Sequence, residues 1–216
     1  MGKLRIALGA LCGAHVAWQQ QTSPLFVAAQ NGDTAAVKRL LAAGAPVDLG
    51  SRRGPFGCSE SATPLFIAAQ NGHAATASAL LAAGASFDAC AGGATEGPMG
   101  LLLSITPLSV AVVGGHADVA KALLAAGADA DEGVTVGPLG VLRAWTPLDD
   151  AAARGHTAAV AALLAGGASP ERGTTTLHFF SSTPLERARS SKEEECKRVA
   201  ALLAAAEESS KQQRAQ

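Results

Sequence analysis

Three histidines are the first residues in this 216-residue chain that a chemist would test. His73, His116 and His156 each stand directly after a glycine, 43 and 40 residues apart. Imidazole is the commonest metal ligand, but a zinc site needs three or four ligands converging on one point. Residues spaced so evenly occupy equivalent turns along the chain, so these histidines are expected to hold turns together and not an ion. Asp149 and Asp150 are adjacent carboxylates, the raw material of acid/base catalysis. On a helix, however, neighbouring residues point in different directions, and carboxylates in a first turn are favoured by the helix dipole. Asp150 stands where other segments of the chain have Val27, Ile67 and Val110, and if buried it would need a partner such as Arg143 or Arg154. Cys58 and Cys90 fall in connecting segments and are expected to be unreactive small residues. No Gly-rich phosphate loop, His-Glu-x-x-His or nucleophile elbow occurs. The expectation is a chain with no catalytic residues, no cofactor and no metal.

Composition narrows the remaining classes. Apolar residues make up 48% of the chain, enough for a continuous core, and the formal charge is -1. That balance gives no general attraction to a phosphate backbone or an anionic membrane, so nucleic acid is not an expected partner. No uninterrupted run of eighteen apolar residues is present, so no membrane span is expected. The four cysteines, at 12, 58, 90 and 196, lack a C-x-x-C spacing, which fits free thiols in a reducing compartment and a cytoplasmic location. Residues 1–21 carry two readings. Lys3 and Arg5 before an apolar stretch have the outline of a secretory signal, while "GAHV" at 13–16 echoes "GAPV" at 44–47 and reads as an amino-terminal half-repeat cap. The first reading makes the chain a secreted or membrane-delivered protein.

The elements that must position these residues recur. Ser/Thr-Pro-Leu occurs at Ser23, Thr63, Thr106, Thr146 and Thr183, at intervals of 40, 43, 40 and 37 residues. Each is followed by the same order of residues, as in "AAQNGDTAAVKRLLAAGA" and "AAQNGHAATASALLAAGA". In the first four copies the proline and the first leucine of the Leu-Leu pair are sixteen residues apart. Ser or Thr before Pro is an N-cap followed by a residue whose fixed φ suits the first helical position. Gly32, Gly72, Gly115 and Gly155 can take φ > 0 and end a short helix, and a second, Ala-rich helix then runs to Gly44, Gly84, Gly127 or Gly167. Helices this short are marginal alone in water, so each pair must lean on its neighbours. Leu40, Leu41 and their counterparts are expected to fill the layer between pairs.

"TPL", "AA", "GH", "LL" and "GA", in that order and in a register that five copies share, resemble the ankyrin repeat family over residues 22–206. The resemblance implies an all-α, ankyrin-type α-solenoid with β-hairpin fingers, acting as a protein-binding scaffold and not an enzyme. The histidine usual after Leu in the family is replaced here by Phe26, Phe66, Ser109, Asp149 and Glu186. The intervals exceed the family period of about 33 residues, with the excess in the connections. There "GPFG", "GPMG" and "GPLG", at 54–57, 97–100 and 137–140, read as tight turns of lengthened fingers.

The expected partner is another protein, met by a single copy of the chain on a concave surface of first helices and fingers. The resemblance places Phe26, Gln30, Asn31, Phe66, Gln70, Asn71, Val113 and Arg154 on that surface, and the apolar finger residues Phe56, Met99, Leu102, Leu139 and Leu142 beside it. Those finger residues either stack as a small core or form an apolar strip for the partner. At the carboxy end, "ERARSSKEEECKR" reads as a polar capping repeat with Val199, Leu202 and Leu203 on its apolar side. Residues 207–216 read as a disordered tail.

Overall fold

The structure, a computed structural model, describes residues 23–53, 60–87, 103–136, 143–176, 180–191 and 193–214. The amino-terminal stretch 1–21, Cys58 and Cys90, the three Gly-Pro turns and the finger residues Phe56, Met99, Leu102, Leu139 and Leu142 lie outside the described residues.

Among the described residues, five helix pairs follow one another. They are α1 (Pro24–Gln30) with α2 (Thr34–Ala42), α3 (Pro64–Gln70) with α4 (Ala74–Ala82), α5 (Pro107–Val113) with α6 (Ala117–Ala125), α7 (Pro147–Arg154) with α8 (Thr157–Ala165), and α9 (Pro184–Ser190) with α10 (Glu194–Arg214). Every first helix begins in the same way. The hydroxyl of Ser23, Thr63, Thr106, Thr146 or Thr183 accepts the backbone N–H three residues on, at 3.1–3.3 Å, and proline fills the first helical position. At Thr183 the bond is reciprocal, because Glu186 accepts the N–H of Thr183 at 3.0 Å. Gly32, Gly72, Gly115 and Gly155 turn the chain into the second helix with φ between +71° and +75°.

First helices pack on first helices and second helices on second helices, so one core runs the length of the stack. Leu25, Leu65, Leu108 and Leu148 fill it from the first helices, and Val37, Val119, Val160, Leu80, Leu123 and Leu163 from the second. Burying each leucine contributes about 1.5–3 kcal/mol. The Leu-Leu pair does not enter this layer as a pair. In the second to fourth repeats the first leucine is fully buried and the second only half-buried, since residues adjacent on a helix cannot face one way; in the first repeat Leu40 and Leu41 are both half-buried.

The carboxy-terminal repeat corrects two expectations. Leu203, not Leu202, is the core leucine: Leu203 is fully buried with Cys196 and Val199, at i, i+3 and i+7, whereas Leu202 is 39% exposed. α10 starts ten residues after Pro184, as the second helix does after proline in the other repeats, but three extra residues at its start, before Cys196, put this leucine nineteen after Pro184 instead of sixteen. Residues 207–214 of the tail expected to be disordered are also helical, for α10 continues to Arg214, whose guanidinium bonds Glu171 at 2.9 Å. After Glu193 no glycine or proline interrupts the helix, which explains its 21 residues.

The connections form strands. β1 (Ser51–Arg53) and β2 (Glu60–Ala62) make one antiparallel hairpin. β3 (Leu103–Ser104), β4 (Val134–Val136), β5 (Arg143–Trp145), β6 (Thr174–Thr176) and β7 (Phe180–Ser182) make one five-stranded antiparallel sheet in that order. The fingers thus do more than lie side by side. Leu103 pairs with Val136 and Arg143 with Thr176, joining successive fingers through backbone hydrogen bonds. At each described finger base a glycine lets the strands close: a Cβ on Gly50, Gly133 or Gly173 would lie 1.9–2.1 Å from the carbonyl oxygen of Ala62, Trp145 or Ser182. Acidic side chains clip neighbouring repeats, with Asp48 accepting the N–H of Ser86 at 3.1 Å and Asp131 that of Ser169 at 2.9 Å.

Candidate partner-binding face

In the first four first helices the second, third, fifth and sixth residues turn into the stack, which leaves the fourth and seventh, and the residue after them, to face outward. The inward set reads Leu25, Phe26, Ala28, Ala29; Leu65, Phe66, Ala68, Ala69; Leu108, Ser109, Ala111, Val112; and Leu148, Asp149, Ala151, Ala152, all buried. The outward set reads Val27, Gln30, Asn31; Ile67, Gln70, Asn71; Val110, Val113, Gly114; and Asp150, Ala153, Arg154, all exposed or half-buried. Spacings of three and four place these residues on one helix face, and stacking sets the four faces in register.

This geometry sorts the residues expected to meet a partner. Gln30, Asn31, Gln70, Asn71, Val113 and Arg154 are on the outward face. Phe26 and Phe66 are not, each being 8% exposed. The third helix position, whose N–H the capping hydroxyl accepts, is buried, so both rings are withdrawn from solvent. Ser109 takes the same place with its hydroxyl 3.1 Å from that of Thr106. Asp149 takes it in the fourth repeat and is fully buried, so the buried carboxylate is Asp149 and not the flagged Asp150, which is half-buried on the outward face. Both aspartates have partners within the chain.

The histidines join repeats. The Nε2 atoms of His73, His116 and His156 lie 3.1, 3.2 and 3.3 Å from the carbonyl oxygens of Gln30, Gln70 and Val113 in the preceding repeat. A carbonyl only accepts, so each Nε2 carries the proton and donates, which leaves it no lone pair for a metal. The rings rest on bare glycine: a Cβ on Gly72 would lie 2.5 Å from Nδ1 of His116. Asn71 adds a second donor to the Gln30 carbonyl at 2.9 Å, so its amide is partly committed to the stack. In the capping repeat Cys196 succeeds histidine. Its Sγ points at the equivalent carbonyl, that of Ala153, at 4.0 Å, and it covers Gly155. Sequence reading missed this role; the signal was Cys196 seven residues before Leu203, as His156 is before Leu163.

Among the described residues no group of three or more His, Cys, Asp and Glu could hold a metal ion, and no helix is long and apolar enough to cross a membrane. On the opposite side of the stack an open groove of about 650 Å³ runs between α6 and α8, lined by Lys121, Leu124, Ala125, Ala158, Ala161, Ala162, Ala165 and Gly166. Its walls are almost entirely aliphatic and offer no chemistry.

Stacked helix–turn–helix units with finger strands and one shared core define an α-solenoid repeat protein. Compared with known families, the chain matches "Ankyrin repeats (3 copies)" over residues 3–91 and again over 25–134, and "Ankyrin repeat" over 144–178. It belongs to the ankyrin repeat family. Ankyrin repeats are generally protein–protein interaction modules and typically not enzymes. No curated protein matches the chain.

Proposed function

We propose that this chain is a scaffold that binds a partner protein on the outward face of its first helices, flanked by the finger sheet. The observation that carries the reading is the register of that face, with the same three positions open to solvent in four successive repeats while their neighbours are locked in the core. A face held by capping bonds and stacked helices is ordered before the partner arrives, so binding loses little entropy there. The finger residues Phe56, Met99, Leu102, Leu139 and Leu142 belong to this reading as apolar anchors beside the face. The balanced charge supports a protein partner over nucleic acid, and one copy holds the whole face, which supports a monomer. Residues 1–21 are read as a cap of the stack, supported by a family match that starts at residue 3. The cysteine pattern supports a cytoplasmic setting.

The test is quantitative affinity capture from the native cell with chemical cross-linking, comparing wild type, a Gln30→Arg, Gln70→Arg variant of the face and an Ala158→Arg, Ala161→Arg variant of the opposite groove. The expected outcome is prey lost from the face variant, retained by the groove variant and cross-linked to first helices or fingers. Prey retained by the face variant and lost from the groove variant would place binding on the second helices.

A further inference from the structure

The chemistry of the outward face changes between the third and fourth repeats. Its fourth-position column reads Val27, Ile67, Val110, Asp150, Arg187, and its last column Asn31, Asn71, Gly114, Arg154, Ser191. Val27 is 42% exposed, the largest exposure of any large apolar side chain on this face, and Ile67 and Val110 are half-buried behind it in line. The first three repeats therefore present an apolar row edged by the amides of Gln30, Asn31, Gln70 and Asn71, with no charge. The last two present Arg154, exposed, and Arg187, half-buried. Asp150 already has a partner in the chain, and Glu186 is engaged in the Thr183 cap. Among the described residues no salt bridge involves Arg154 or Arg187. The available charge at this end is positive.

Spacing selects the shape of the occupant. Packed neighbouring helices lie about 8–10 Å apart, so the fourth-position side chains recur at about that interval along the stack. An α-helix laid across the repeats returns a residue to one face every seven positions, about 10.5 Å. An extended strand returns one about every 6.6–6.8 Å and falls out of step by the second repeat. We propose, resting on the partner-binding role of this face, that its occupant is an amphipathic helix of a partner protein, with apolar residues seven apart over Val27, Ile67 and Val110 and carboxylates over Arg154 and Arg187. Guanidinium groups favour this pairing, because a carboxylate meets their planar fork through two parallel hydrogen bonds. Crossing five repeats, four intervals of about 10 Å, takes roughly 28 residues of helix.

The test is panning of a displayed library of 30-residue helices, randomised at every seventh position and its neighbours, on the full chain. Selected clones are then measured against Arg154→Glu, Arg187→Glu and Val27→Ser variants, with urea unfolding to confirm that each variant is folded. The inference predicts clones with apolar residues in the first three face positions and Asp or Glu in the last two. Their affinity should fall about tenfold or more on the double arginine variant and return when the clone's acids are replaced by Lys. Clones that bind this face without acidic bias or heptad spacing, or a library from which nothing is enriched, would overturn the helix assignment and leave the partner-binding reading standing. Clones that cross-link to the second helices would instead count against that reading itself.

Discussion

The helical stack and the finger sheet join the same repeats by different means. In the stack the joints are side chains: a buried leucine layer, and a ladder in which His73, His116, His156 and finally Cys196 reach a carbonyl of the preceding repeat over a glycine. In the sheet the joints are backbone, through the β3–β4 and β5–β6 pairings. Side-chain joints demand particular residues at fixed intervals, so the sixteen-residue spacing from proline to leucine is kept through the first four repeats. Backbone joints accept almost any residue, so "LS", "VTV", "RAW", "TTT" and "FSS" can all serve as strands. The stack is therefore the conserved machine of each repeat within this chain, and the fingers are where its repeats differ in length and character.

Three substitutions test that contrast. Leu123→Ala removes a fully buried side chain from the stack and is expected to lower unfolding free energy by about 2–5 kcal/mol, read as a shift of the urea midpoint at constant slope. Gly133→Val places a Cβ 2.0 Å from the Trp145 carbonyl oxygen at a finger base and is expected to cost about 1–3 kcal/mol. Its mark should be local, with amide protection lost in β4 and β5 while α5 to α8 stay protected; helices that open along with the strands would make stack and sheet one unit. Thr106→Ala deletes a capping hydroxyl with a 3.2 Å bond to the Ser109 N–H and should cost about 1 kcal/mol, the smallest effect of the three in the same titration.

What could be read from the sequence follows the same division. Helix starts, turns and repeat register were legible, because proline, capping hydroxyls and positive-φ glycines act locally. The facing of individual side chains was not. Phe26 and Phe66 are aromatic residues in short helices, and only the stacked neighbour shows that the third position is buried. For the same reason Asp149, and not Asp150, is the carboxylate drawn into the core. In the last repeat three inserted residues hid both the Cys196 joint and the shift of the core leucine to Leu203. The joining of fingers into one sheet was beyond reach, since backbone pairing leaves little trace in residue type. On the candidate face, Gln30, Gln70, Val113 and Arg154 were legible from repeat position alone, whereas the change from neutral to cationic chemistry emerged only when buried positions were removed from the columns.

The central claim is that no repeat is stable without its neighbours and that the stack holds the candidate face as one unit. Native-state hydrogen exchange on the full chain carrying Leu123→Ala tests it most directly. The account predicts that opening free energies fall together in α3 to α8, on both sides of the altered repeat. Protection lost in α5 and α6 alone, with the flanking helices unchanged, would contradict it.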